Sequence, residues 1–266
     1  MTTGTLLYLN GIFPPLRPGN IETSDGVMLR YEDRGRGLPI VFVHGWAATS
    51  RFWEGQVSRL SPYFRTITPD LRGHGDSDRE SGLDYSTGRL VRDILELEEF
   101  LGIGKPLFVG HSLGGIISAS CAADAGASGL LLTGVSRIID VPATRLKILM
   151  KMRWLAERLV TPRMFAPGVE PELLDLVRGE SAKSPAGVLV EVMEGTAGSE
   201  LPSLDKKIPL LVVAGELDSL VPVETQRSMA LEFGGMFATV RGAGHNLMLE
   251  RPAEFAGIIQ DFAEGL

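Results

Sequence analysis

Gly110-His111-Ser112-Leu113-Gly114 sets a serine between glycines, directly after the apolar run Leu107–Val109 and before a small-residue stretch running to Ala123. A strand that reverses into a helix within one residue crowds its neighbours, which is why glycines flank it, and it holds the central serine in a strained, projecting conformation. The free N–H groups of the helix start beside it favour a developing anion. The chemistry this suits is nucleophilic attack by the Ser112 hydroxyl on a carbonyl. An ordinary serine in a glycine-rich turn is the alternative, and the strand–motif–helix context weighs against it. A phosphate-binding loop is excluded, because no Gly-Lys-Ser/Thr follows.

Such a serine needs a base. Of four histidines, only His245 lies beyond the late apolar runs, in a loop flanked by Gly242, Gly244 and Asn246. That position suits a residue that takes the serine proton and returns it to a leaving group. Activity is then expected to rise as pH passes through the ordinary imidazole range, about 6.5. His44, His74 and His111 read as structural. No histidine pair has the H-E-x-x-H spacing, so neither a catalytic metal nor a cofactor is expected. Cys121, the single cysteine, excludes an internal disulfide and reads as an inert buried thiol.

The 266-residue chain carries 26 Lys and Arg against 33 Asp and Glu, a net charge of −7. That balance argues against nucleic acid as a partner, whose footprint is a basic face. No apolar run reaches the roughly 18 residues needed to span a bilayer, and no charged leader precedes the first apolar run. A cytoplasmic location and a small-molecule substrate are the expectations. Glycine is in excess, with 32 residues where average usage gives roughly 19.

The elements that must position these residues are legible in the hydrophobic pattern. Residues 1–19, with Pro14, Pro15 and Pro18, read as an arm. Asp25-Gly26 between alternating segments reads as the turn of an antiparallel hairpin. Short buried strands, several of them all apolar, then alternate with helices: strands at Pro39–Val43, Arg65–Thr68, Leu107–Val109, Gly129–Leu132, Pro209–Val213 and Met236–Val240, helices at Arg51–Leu60, Thr87–Leu101, Pro222–Phe233 and from Arg251 onward. The pattern predicts an α/β fold with a mostly parallel sheet covered on both faces. The alternation breaks over 137–206, where helices such as Thr144–Val160 and Pro171–Arg178 are expected. Such an insert either packs on its neighbours or covers a cleft; its place between two strands of one sheet favours a helical cap.

His44-Gly45-Trp46 after the Ile40–Val43 strand, Asp70-Leu-Arg-Gly-His-Gly-Asp-Ser77, Gly110–Gly115, Gly215-Glu-Leu-Asp218 and Gly242-Ala-Gly-His245 occur in the order of the landmark loops of the α/β-hydrolase family, which this chain resembles over 20–136 and 207–266. The resemblance implies a Ser112–His245–Asp218 triad in the order Ser…Asp…His. Asp218 would fix the imidazole tautomer and stabilise the imidazolium. Glu216 stands two residues away, and Asp140 occupies the place where some relatives carry the acid instead. An oxyanion hole is implied from the backbone N–H groups of Trp46 and Leu113. The Trp46 indole could line the acyl pocket or pack. A serine nucleophile argues against the epoxide- and haloalkane-cleaving branches, which use aspartate.

The expected reaction is hydrolysis of a carboxylic ester through an acyl-enzyme. The apolar insert residues Leu146, Met150, Trp154 and Phe165 are candidates to bind a small to medium apolar acyl group, although such residues also serve as core. A lactone or enol-lactone hydrolase needs the same triad, and the His44–Trp46 and Gly110–Gly115 loops also resemble cofactor-free perhydrolases. A proline-releasing peptidase, using one of Glu170, Glu172, Glu191 or Glu194, and a non-catalytic small-molecule receptor are the remaining alternatives.

Overall fold

The structure, a computed structural model, describes residues 17–140 and 161–266. Eight short strands form one sheet: β1 (Arg17–Glu22), β2 (Met28–Arg34), β3 (Pro39–Val43), β4 (Arg65–Pro69), β5 (Leu107–His111), β6 (Gly129–Thr133), β7 (Leu210–Gly215) and β8 (Met236–Val240). Their order is β1-β2-β4-β3-β5-β6-β7-β8, with β2 antiparallel to β1 and β4 and the remaining pairs parallel. The helices among the described residues are α1 (Glu54–Leu60), α2 (Thr87–Leu101), α3 (Leu113–Ala125), α4 (Pro171–Ala182), α5 (Ala186–Thr196), α6 (Val223–Glu232), α7 (Leu247–Glu250) and α8 (Pro252–Glu264). None of the described helices is long and apolar enough to cross a membrane.

Side chains alternate across a strand, so an all-apolar strand feeds two cores. Val41, Val43, Phe108, Leu130, Leu132 and Val212 point to one face and pack with Leu90, Ile94 and Leu97 of α2, Ile116 and Ile117 of α3, and Met229 of α6. Ile40, Phe42, Leu107, Val109, Leu131, Leu211 and Val213 point to the other, against Val57 and Leu60 of α1 and Phe255, Ile259 and Phe262 of α8. After β3 the chain lays β4 on one side, then crosses to lay β5 on the other. The carboxyl ends of β3 and β5 therefore flank a topological switch point, where open α/β sheets place their ligands.

Two expectations are adjusted in extent. β1 begins at Arg17, so the last residues of the expected arm belong to the sheet. Pro18 is tolerated because β1 is the edge strand and one of its sides owes no ladder bond. The helix expected over Arg51–Leu60 is split into a 3₁₀ turn, Ser50–Trp53, and α1, because Trp53 sits at φ −95°, ψ 0°.

Glu98 on α2 is buried, and its Oε1 finds no partner among the described residues. Burial pushes this carboxyl up to about 8, and on α3 the buried Cys121 thiol is pushed up by burial and then by Glu98. The folded state thus holds a proton on Glu98 that the unfolded chain releases near 4.5. This stabilises fully below that value and is lost as pH rises toward 8, an upper bound of about 3 kcal/mol at pH 7. Glu98→Gln is therefore expected to be the more stable protein in urea unfolding at pH 7.5, and to lose that advantage at pH 5. An equal gap at both pH values would refute this.

Candidate active site

Ser112 is the single residue between β5 and α3, with φ 52° and ψ −119°. A non-glycine residue held there stores about 1–3 kcal/mol of backbone strain. Close backbone approach fixes the position. A Cβ on Gly114 would lie 2.2 Å from the Val43 carbonyl oxygen, and one on Gly45 would lie 3.1 Å from the Ser112 Cβ. The chain leaving β3 is thereby laid against the serine, with Trp46 next in line and Ala47 in the left-handed region at φ 58°. Leu113 is the first residue of α3, so its N–H has no acceptor within the helix.

Asp218 follows β7 in a loop that saturates its carboxylate. Oδ1 accepts from the backbone N–H groups of Leu220 and Val221, both at 2.9 Å. Oδ2 accepts from Gln226 Nε2 at 3.2 Å and lies 3.0 Å from His245 Nδ1. Both Asp218 and His245 are buried. A carboxylate facing Nδ1 favours the tautomer with the proton on that nitrogen. The rival acids stand elsewhere: Glu216 accepts from Gly242 N–H at 2.9 Å and braces the histidine loop from its exposed side, and Asp140 is exposed.

A tier of imidazoles lies beneath. His111 approaches His245 with ring centroids 4.7 Å apart, and its Nε2 lies 3.2 Å from the His245 carbonyl oxygen. Burial and then the neighbouring His245 push His111 well below the ordinary imidazole range, so it stays neutral. His44 Nε2 accepts from Leu71 N–H at 3.0 Å, so Nδ1 carries the proton and donates to the Gly45 carbonyl at 2.8 Å. Burial lowers His44 to about 4 and His74 to about 3. His44 thus supports the Gly45–Trp46 backbone from below.

The insert is tied to these loops. Trp46 Nε1 donates to the Leu189 carbonyl of α5 at 2.7 Å, and its ring packs against Leu189 and Met193. Thr49 donates to Glu180 of α4 at 2.8 Å. Asn246 N–H donates to the Met164 carbonyl at 3.0 Å. Glu250 accepts from Gly244 N–H and Ala166 N–H, each at 2.8 Å, bridging the histidine loop to the insert. Phe165 is buried with Ala48, Phe52 and Val177, a packing contact beneath the insert. Leu146, Met150 and Trp154, with the expected helix Thr144–Val160, lie outside the described residues.

Sequence reasoning missed three contributors. His111 reads as the free position of its motif, yet it holds the carbonyl of His245. Glu250 had one usable signal, an acid five residues after a loop histidine. Gln226 had none, because α6 reads as an ordinary surface helix. It is nonetheless fully buried, with Nε2 on Asp218 and on the Val221 carbonyl (2.8 Å) and Oε1 accepting from Gly134 N–H (3.0 Å).

A strained serine at one strand exit, an imidazole with one nitrogen held by a carboxylate, and backbone N–H groups after β3 and β5 are groups of the kinds that acyl transfer uses. Comparison with known proteins agrees with the architecture. A thermophilic esterase from Thermogutta terrifontis is 26% identical and superposes with a TM-score of 0.84 over 94% of this chain and 98% of its own. An enol-lactonase from Burkholderia xenovorans, 24% identical, shares the fold with a TM-score of 0.84 over 92% of this chain and all of its own. A non-heme chloroperoxidase of Streptomyces lividans is 42% identical over 101 residues, 36% of each chain. The sequence profile of the alpha/beta hydrolase family matches residues 40–258. This chain, with its mostly parallel eight-stranded sheet and its loops at the strand exits, belongs to the alpha/beta hydrolase family.

Proposed function

We propose that the protein hydrolyses carboxylic esters through an acyl-enzyme on Ser112. The observation that carries this reading is the 3.0 Å contact between Asp218 and His245, taken with a serine held at φ 52° at the exit of β5. His245 Nε2 takes the Ser112 proton as the hydroxyl oxygen attacks the ester carbonyl, while the N–H groups of Trp46 and Leu113 bind the oxyanion. The same imidazolium protonates the departing alkoxide, and a water activated by His245 then releases the acid. Asp218 holds the tautomer throughout. The 137–206 insert serves as the cap, and its apolar side chains favour small to medium apolar acyl groups. The esterase likeness of the Thermogutta terrifontis protein supports this class. A fluorophosphonate probe is expected to label Ser112, and a panel of p-nitrophenyl esters to be turned over fastest with short to medium unbranched acyl chains. Absence of labelling and turnover would remove the hydrolase reading, and preference for charged or very bulky acyl groups would remove the acyl assignment.

A second reading rests on the local likeness to the chloroperoxidase. Hydrogen peroxide replacing water at the acyl-enzyme would release a peracid, with the same proton transfers. Peracid formation from an ester and peroxide, measured against ester hydrolysis, separates the two.

A further inference from the structure

We propose that Gln226 is a positioning residue for the catalytic acid, fixing the Asp218 carboxylate and tying it to the floor beneath His245; this rests on the triad reading above. The amide is fully buried, and each of its hydrogen-bonding groups has a match. Its two N–H hydrogens face two acceptors, Asp218 Oδ2 at 3.2 Å and the Val221 carbonyl at 2.8 Å. Its oxygen faces a donor, the Gly134 N–H at 3.0 Å. A flipped amide would set oxygen against two acceptors and NH₂ against a donor, so the network fixes the orientation.

Both ends of this link reach the acid–base pair. At one end, Gln226 supplies the second of the two donors on Oδ2, the oxygen that also faces His245 Nδ1. At the other, Gly134 follows β6 at φ 62°, and a Cβ there would lie 2.8 Å from His245 Cε1. The glycine is the surface on which the imidazole edge rests. One side chain therefore sets both the rotation of the carboxylate and the height of the ring, so its loss should act on the chemical step and leave substrate binding alone. Among the described residues, the titratable side chain in hydrogen-bond contact with Gln226 is Asp218, with His245 behind it.

The test compares Gln226→Leu and Gln226→Glu with wild type on one p-nitrophenyl ester, with kcat expressed per fluorophosphonate-titrated serine so that unfolded molecules do not count. The Leu variant is expected to lose about 10- to 100-fold in kcat at every pH with KM within about twofold, the pattern of an interaction used in the transition state. A glutamic acid at 226 shares the buried site with Asp218 and so keeps its proton to high pH, when it can donate to Oδ2 as the amide does. The Glu variant is expected to recover most of the activity at pH 6–7 and to lose it above about pH 8, where wild type does not. Leu and Glu variants that behave alike at every pH, or a Leu variant within about twofold of wild type, would overturn the role of Gln226. A wild-type protein that fails to label would instead overturn the hydrolase reading, and this proposal with it.

Discussion

Ser112→Ala is expected to abolish fluorophosphonate labelling and to lower ester turnover by about 10⁴- to 10⁶-fold, a loss of about 5–8 kcal/mol of transition-state stabilisation. The residual rate would come from binding and from the N–H groups at the two strand exits, which the substitution leaves in place. Because residue 112 lies at φ 52°, a second variant separates reactivity from strain. Ser112→Gly should be equally inactive yet melt higher than Ser112→Ala, since glycine accepts that backbone region at about 1–2 kcal/mol less cost. Retained labelling in Ser112→Ala would move the nucleophile elsewhere. Identical melting of the two variants would deny the strain.

Arg72→Leu is expected to be the most damaging substitution away from the site, costing about 3–5 kcal/mol and lowering the melting temperature by about 10 °C. Arg72 is fully buried and forms two hydrogen bonds to Asp93, at 2.5 and 2.7 Å, and two to Asp25, both at 2.9 Å, with a further bond to the Asp84 carbonyl at 3.0 Å. Arg89 continues the network to Asp93 and Glu96. The charges respond as their surroundings dictate. The Arg72 guanidinium holds Asp25 well below the carboxylate range, whereas burial raises Asp93 despite its two arginines. Removing Arg72 leaves Asp93, with no exposed side-chain surface, facing Arg89 alone. The double variant Arg72→Leu/Asp93→Leu should recover much of the loss, because an apolar pair of similar volume replaces a buried ion pair at little net cost. A single-variant loss below about 1 kcal/mol, or no recovery in the double variant, would show that the network is not what holds this loop.

The Arg72 network also marks where the sequence stops being informative. Arg89, Asp93 and Glu96 share one face of α2 at helical spacing, but Asp25 sits in a turn and Arg72 in a loop, so only tertiary folding shows the five as one group. Asp70-Leu-Arg-Gly-His-Gly-Asp-Ser77 was readable as a landmark, but its internal logic was not. Asp70 accepts from Ser50 N–H at 2.7 Å and Asp76 N–H at 2.9 Å, closing a brace between the loops after β3 and β4. In contrast, β3 and β5–β7 were legible because burial on both faces demands uninterrupted apolar runs. Ser112, Asp218 and His245 stood out for another reason: each lies in a glycine-containing loop after a strand. The bonds by which His111, Glu250 and Gln226 tie these loops to the rest of the fold join a side chain to a main-chain group across 134, 84 and 92 residues of chain, respectively. No local pattern encodes those meetings.

The bonds between the insert and the strand-exit loops bear on how specificity could be redesigned. Exchanging the insert of one family member for that of another treats it as a modular part. Here a graft would also have to reproduce a carbonyl at the place of Leu189, a carboxylate at that of Glu180, and the main chain of Met164 and Ala166. A donor segment that fits the acyl chain but omits the first of these strands the Trp46 indole N–H. Its recipient would then lose turnover along with the old selectivity, and the two effects would have to be recovered together.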